Sequence, residues 1–372
     1  MDRHPNKNRR ASHARTGTEV RKRGRTLLFL APVQALFLLG WWLVSCSPQA
    51  AAKSPGDYQT LQVFFENDLF GNTDKYYTNA VQATWLSKDL ARYKDDVRLP
   101  DWTLPLIRRI PFVGEPDSLH NVGLILGQHI YTPSDIKTRQ LLKDDRPYAG
   151  FLYGGLALHS KTPSRLDTME IVLGLVGPSA LGKQAQNGVH RLRSLDLARG
   201  WEHQLEDEPV LRCSWQRKWR LWQWRTPGRV GADLISGAGL TLGNVRTGIN
   251  AGGEVRFGFR IPRDFGSDVI RPGAGISAPL PDGEQKQIGP FGVHVFGGVQ
   301  LEGVARNLFL DGNTWRDSHS VDKKPLVADV SVGVALTIEA FKLTYRHLFR
   351  SKEFDNQEQG QVIGSLTLTR AF

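Results

Sequence analysis

Beyond residue 55 the chain alternates apolar and polar side chains with a period of two, in segments of roughly ten to fourteen residues. The final segment is the clearest. Val362, Leu366, Leu368 and Phe372 share one parity, while Gln361, Ser365, Thr367 and Thr369 share the other. A strand of about 9–11 residues crosses a bilayer when its two faces meet lipid and lumen in turn. Residues 211–224 repeat the pattern, with Leu211, Cys213, Trp215, Trp219 and Leu221 against Arg212, Ser214, Gln216, Lys218 and Arg220. Arg217 breaks it by standing on the apolar parity, which calls for a lipid phosphate or a bulge. About twelve segments of this kind can be counted: 58–69, 77–88, 120–131, 148–159, 166–176, 211–224, 229–242, 246–260, 290–303, 326–337, 339–349 and 360–372. The expected fold is all-β, a closed transmembrane antiparallel β-barrel with both termini on the periplasmic side. Longer connections fall near 89–119, 131–147, 177–210, 261–289 and 304–325.

Composition agrees with many strands and tight turns, since Gly is abundant (38) and Met scarce (2). Four tryptophans (Trp215, Trp219, Trp222 and Trp224) read either as an aromatic girdle at the membrane interface or as a carbohydrate platform. Two cysteines make no disulfide framework, and no Cys/His spacing suggests zinc. An amphipathic last strand ending in an aromatic resembles the signal that bacterial outer-membrane barrels present to the barrel-assembly machinery.

Residues 1–55 stand apart from the barrel domain, 56–372. A basic stretch is followed by the apolar run Leu27–Cys46 and then by small residues up to Ala52. That order matches a secretory signal peptide, with cleavage near Ala50–Ala52. A signal-anchor helix is the alternative, and Leu43-Val44-Ser45-Cys46 also fits a lipobox with Cys46 lipidated. Of the formal net charge of +11, +7 belongs to residues 1–26, which leaves +4 for the rest. The nucleic-acid reading of a basic chain therefore lapses, and the remaining charge suits a phosphate-rich partner.

The standard catalytic signatures are absent: no G-x-S-x-G, no H-E-x-x-H, no P-loop and no dinucleotide fingerprint. Two polar clusters remain. One joins Glu66-Asn67-Asp68 to Thr73-Asp74 and Tyr77-Thr78-Asn79; the other holds Gln186, Asn187, His190, Arg191 and Asp196. If the first strand rises from the periplasm, both clusters converge on the extracellular rim, beside the loop Tyr131–Asp145. Short carboxylate and amide oxygens suit a hard cation such as Ca²⁺. Asn-Asp is equally a hairpin-turn pair, and a single loop histidine is often a surface residue.

Longer motifs sharpen this. Phe64-Phe65-Glu66-Asn67-Asp68-Leu69-Phe70 and Thr73-Asp74-Lys75-Tyr76-Tyr77-Thr78-Asn79 resemble the N-terminal signature of the lipid A 3'-O-deacylase (LpxR-like) family. So do Gln128-His129-Ile130-Tyr131-Thr132-Pro133, Asp145-Arg146-Pro147-Tyr148-Ala149-Gly150, and Gly177-Pro178 with Gln186-Asn187 and His190-Arg191. The resemblance implies a Gram-negative outer-membrane enzyme whose site lies between the outer wall and a short helix in an extracellular loop. It implies hydrolysis of the 3'-linked acyl (acyloxyacyl) ester of lipid A in lipopolysaccharide, by a His-activated water with Ca²⁺. His190, Asp68, Asn67, Thr78 and Gln186 match its catalytic positions. Lys137 matches a substrate-binding lysine across a one-residue gap, with Arg191 beside the His. Asp68 would bind metal, together with Asp196, which stands where a Glu can stand in the family. The rival readings are a non-catalytic lipopolysaccharide-binding barrel and an outer-membrane phospholipase.

Overall fold

The computed structural model describes residues 58–68, 76–95, 99–113, 115, 117–227, 229–267, 270 and 291–372. All lie in the second of two compact units, residues 52–372. The expected signal segment, 1–55, falls outside them. Twelve strands form, each within a few residues of a segment marked by alternation: β1 (Thr60–Asn67), β2 (Tyr76–Leu86), β3 (Leu119–Thr132), β4 (Ala149–Lys161), β5 (Arg165–Val176), β6 (Glu208–Arg225), β7 (Val230–Gly243), β8 (Arg246–Phe259), β9 (Gly292–Asn307), β10 (Leu326–Ile338), β11 (Phe341–Arg350) and β12 (Gln361–Ala371).

Each strand pairs antiparallel with its sequence neighbours, and β1 pairs with β12 to close the barrel. Beyond that ladder, the Gln59 and Phe372 backbones exchange two hydrogen bonds of 2.9 Å. Closure leaves no unpaired edge, the condition for strands to lie in hydrocarbon. One parity of each strand then faces lipid. Leu126 is 62% exposed, and Leu173, Ile249 and Val299 are similarly open. Such a surface would be a liability in water and is the expected face of a membrane barrel. The described strands thus form a barrel whose outer face suits a membrane.

Arg217, the exception in the alternation, has a local partner and needs no bulge. It lies opposite Asp167 on β5, and its Nε donates to Asp167 Oδ1 at 2.7 Å. The Trp215 indole donates to the same oxygen at 3.1 Å, and the guanidinium sits 5.3 Å from the Trp215 ring centroid. A lipid-facing charge is thus neutralised across the ladder.

The lumen is filled from the periplasmic end. After β8 the chain turns inward, and Asp264, Phe265, Ser267 and Ile270 are buried. Asp264 takes Arg256 Nη1 and, at 3.1 Å, Lys342 Nζ. Ser267 donates its N–H and its hydroxyl to Glu254, while the Ile270 N–H reaches Glu66 at 3.3 Å. Higher up, a cavity of about 110 Å³ lies between Glu66, His129, Arg346 and Arg350. It has room for a few waters at about 30 Å³ each.

This ionic plug predicts that Asp264→Ala lowers the unfolding midpoint in detergent. Breaking a buried pair strands its partners and costs about 3–5 kcal/mol. The check is a thermal melt beside the heat-dependent gel shift of a folded barrel; an unchanged midpoint would mean that the plug is not bearing on stability.

Candidate active site

The chain between β5 and β6 contributes helix α2 (Gly182–Leu192), which packs against β3 and β4 near their extracellular ends. It lies outside the wall. Phe151 lines the lumen, so its neighbour Gly150 points outward. A Cβ on Gly150 would meet the Gly182 backbone N at 2.9 Å, and one on Gly182 would meet the Gly150 Cα at 2.9 Å and the Trp201 ring. Two facing glycines therefore set how closely helix and wall approach. Gln128, also outward on β3, donates to the Ala180 carbonyl at 2.7 Å just before the helix. Ile130, Ile136, Tyr148, Ala198 and Trp201 form the apolar cluster beneath.

Gln186, Asn187 and His190 are buried on the barrel side of the helix. Asn187 clamps the returning chain twice: its amide donates to the Ala198 carbonyl at 3.1 Å and accepts from the Ala198 N–H at 3.0 Å. That return carries Asp196 beneath His190. His190 Nδ1 lies 2.5 Å from the Asp196 carbonyl oxygen. A carbonyl only accepts, so Nδ1 bears the proton and the neutral ring keeps its basic lone pair on Nε2. Gln186 is 4% exposed, and its Oε1 accepts from the Trp201 indole N–H at 3.2 Å. An indole can only donate, which fixes the amide orientation. Gln186 Nε2 is left buried without an acceptor among the described residues.

Lys137 and Asp196 are brought together: Nζ lies 2.7 Å from Asp196 Oδ2, both side chains being exposed. The hydrogen bond and charge of Lys137 hold the Asp196 carboxyl below the usual carboxylate range, and Asp196 raises the Lys137 ammonium in return. A depressed carboxyl keeps this pair formed above its ordinary titration range and loses it only as acid protonates Asp196. Arg191 is exposed beside His190.

The first cluster divides across the wall. Glu66 points into the lumen and accepts from the Tyr77 hydroxyl at 2.9 Å. Asn67 has the opposite parity and pairs with Asn79. Asp68, at the upper end of β1, is completely buried. Thr78 sits at a bulge, where the β2–β3 register shifts between Tyr77 and Asn79, and its hydroxyl lies 2.7 Å from that of Thr132. Thr73 and Asp74 lie outside the described residues. Among the described residues no three His, Cys, Asp or Glu side chains gather as a metal cluster. Trp201, which orients Gln186, was missed by sequence reasoning, an isolated Trp in a polar connection being the available signal; Gln128, which anchors the helix, was named only as part of a motif.

The family model described as outer membrane protein LpxR matches residues 36–372. The chain belongs to this family. Among solved structures, the LpxR protein of Salmonella typhimurium superposes with a TM-score of 0.66 at 18% identity, covering 84% of this chain and 100% of that one. That likeness supports the twelve-stranded LpxR fold. The β domain of the Bordetella autotransporter BrkA aligns at a TM-score of 0.41 and 8% identity, over 85% of this chain and 98% of that one. No curated protein matches.

The glycine contact makes a prediction for this LpxR-family site. Gly182→Val forces a side chain into Gly150 and Trp201, so α2 must lift while the ladder remains intact. Activity should fall about 100-fold or more, the cost of a displaced catalytic group, while the heat-dependent gel shift persists. Near-normal activity would show that the helix contact is dispensable.

Proposed function

We propose that this chain is an outer-membrane lipid A 3'-O-deacylase, an ester hydrolase in which His190 activates water. The observation that carries the reading is the pairing of an oriented imidazole with a buried, unsatisfied Gln186 amide on the lipid side of the wall. LpxR-family membership supports the substrate class. So does the surface around the helix: Leu181, Val189, Leu192 and Leu195 are exposed beside the lipid-facing wall, as acyl chains require, and Lys183, Arg191 and Arg199 are exposed cations suited to a phosphosugar.

Ester hydrolysis needs a deprotonated water and stabilisation of the carbonyl oxygen as it gains charge. His190 Nε2 takes a water proton, and the oxygen adds to the acyl carbonyl carbon. The Gln186 N–H donates to the carbonyl oxygen, which becomes negative in the tetrahedral species. Collapse expels the sugar oxygen, which takes the proton from imidazolium, and the fatty acid departs. An amide left unpaired in the resting enzyme costs about 1–3 kcal/mol, and bound substrate restores its acceptor. The Asp196 carbonyl holds the imidazole in the required tautomer, with Lys137 holding Asp196.

A divalent cation fits the oxygen donors of Asn67, Asp68 and Thr78, hard ligands at the same end of the wall. Such an ion would polarise the substrate carbonyl. Asp68 is the carboxylate in that set. The Asp196 carboxylate pairs with Lys137 through Oδ2, and its backbone carbonyl orients His190.

Lipid A from cells with and without the protein, compared by mass spectrometry, tests the activity. Loss of one acyloxyacyl unit supports the deacylase; altered phospholipid alone would favour a phospholipase, and no change a binding barrel. In single-turnover hydrolysis, His190→Ala should lose about 10²–10⁴-fold in rate with lipid A affinity retained. Lys137→Ala should impair both binding and rate, since it contacts the headgroup and braces Asp196. Turnover by His190→Ala close to wild type would sink the base assignment.

The cation has its own test. Asp68→Asn should abolish Ca²⁺ stimulation and weaken Ca²⁺ binding measured by calorimetry, with the barrel intact. Equal activity in saturating EDTA and in Ca²⁺ would rule out the cation.

A further inference from the structure

The long connection between β2 and β3 lies at the end of the barrel opposite the candidate site, and it folds onto the outside of the wall. Leu90, Tyr93, Leu99 and Ile107 pack with Val122 of β3 and Leu158 of β4, both on the outward parity. Three further ties hold it there. Leu90 and His120 exchange backbone hydrogen bonds of 2.8 and 2.9 Å, the Tyr93 hydroxyl donates to the His159 carbonyl at 2.6 Å, and the Ser160 hydroxyl reaches the Phe112 carbonyl at 3.2 Å. On the same face of β3, directly above the covered Val122, Leu124 and Leu126 are 49% and 62% exposed. The pad therefore begins where the lipid-facing band ends.

Its own outer surface is not what a water-facing loop would carry. Trp102, just before the short helix α1 (Leu104–Ile107), is 72% exposed, and Leu106 within it is 56% exposed. Arg108 and Arg109 follow directly and are exposed. Glu115, next along the chain, pairs with Arg165, which binds Asp167 at 3.1 Å in the cluster with Trp215 and Arg217. The pad is thus continuous with the aromatic and basic edge of the lipid-facing wall at β5–β6. An exposed Trp and Leu beside a pair of arginines is the arrangement that settles at a bilayer interface, ring and aliphatic chain in the acyl boundary and guanidinium on phosphate.

We propose that residues 87–95 and 99–113 form an interfacial pad that docks on the phospholipid of the periplasmic leaflet, with Trp102 and Leu106 inserted and Arg108 and Arg109 on anionic headgroups. The pad anchors the end of the barrel opposite the lipid A site. It uses no residue of the catalytic reading and stands or falls without it.

The test uses the full folded chain in vesicles containing brominated phosphatidylglycerol. The emission of wild type minus Trp102→Phe isolates Trp102, an exposed side chain whose loss leaves the barrel intact. Docking requires that this difference emission be blue-shifted and quenched by the brominated lipid. Arg108→Gln with Arg109→Gln should retain at least about fivefold less phosphatidylglycerol in native mass spectrometry, while deacylase activity is unchanged. Quenching of Trp102 by aqueous iodide and not by brominated lipid would overturn the proposal, leaving a surface that faces water or a periplasmic protein. Equal phosphatidylglycerol retention by the double variant would overturn it as well.

Discussion

A strand inside a bilayer has no water to satisfy its backbone, so every N–H and C=O must find a partner in a neighbouring strand. Pairing of β1 with β12 meets that demand and closes the ladder. Closure then fixes the parity of every wall residue, because a slip of one position would send lipid-facing leucines into the lumen. Gly150 faces α2 for this reason: Phe151 is committed to the interior, so its neighbour is committed to the exterior. The location of the candidate site is a consequence of the ladder. A lipid substrate meets the outside of the wall, and the outside is where the helix sits.

Seating that helix takes little polar chemistry. Two glycines let the backbones approach, Tyr148 and Trp201 fill the space beside them with ring centroids 4.9 Å apart, and Gln128 caps the preceding turn. Polar contacts are reserved for orientation. The Trp201 indole settles which end of the Gln186 amide faces inward, and the Asp196 carbonyl settles which nitrogen of His190 is basic. Side chains held this way are oriented before any ligand arrives, the condition under which fixed dipoles act on developing charge.

The period-two pattern made the twelve strands legible because lipid and lumen impose opposite chemistry on alternate residues. The site was legible as types and spacing: His190, Gln186 and Asn187 lie on one side of a helix, as a three-and-four-residue spacing allows. What could not be read was the use of a backbone atom. Asp196 drew notice for its carboxylate, yet the carbonyl orients His190 while the carboxylate pairs with Lys137. A carbonyl is common to every residue and leaves no mark in sequence. Likewise Glu66 and Asn67 looked like one polar cluster, but adjacent residues in a strand face opposite sides, so one is lumenal and the other outward.

Two long connections leave the periplasmic end of the barrel and take opposite routes, and their composition decides which. Residues 261–267 and 270 enter the lumen as a plug, offering Asp264 and Ser267 to a lining that holds Arg256, Glu254, Lys342 and Arg346. Residues 87–95 and 99–113 offer Leu90, Tyr93, Leu99 and Ile107, which pack on Val122 and Leu158 outside. The polar side chains of the first segment pair with lumenal charges, and the apolar side chains of the second pack on the outer wall. The barrel wall thus sorts its own connections. The described part of the plug lies inside the wall, while the outer surface carries the candidate site at one rim and an apolar pad at the other.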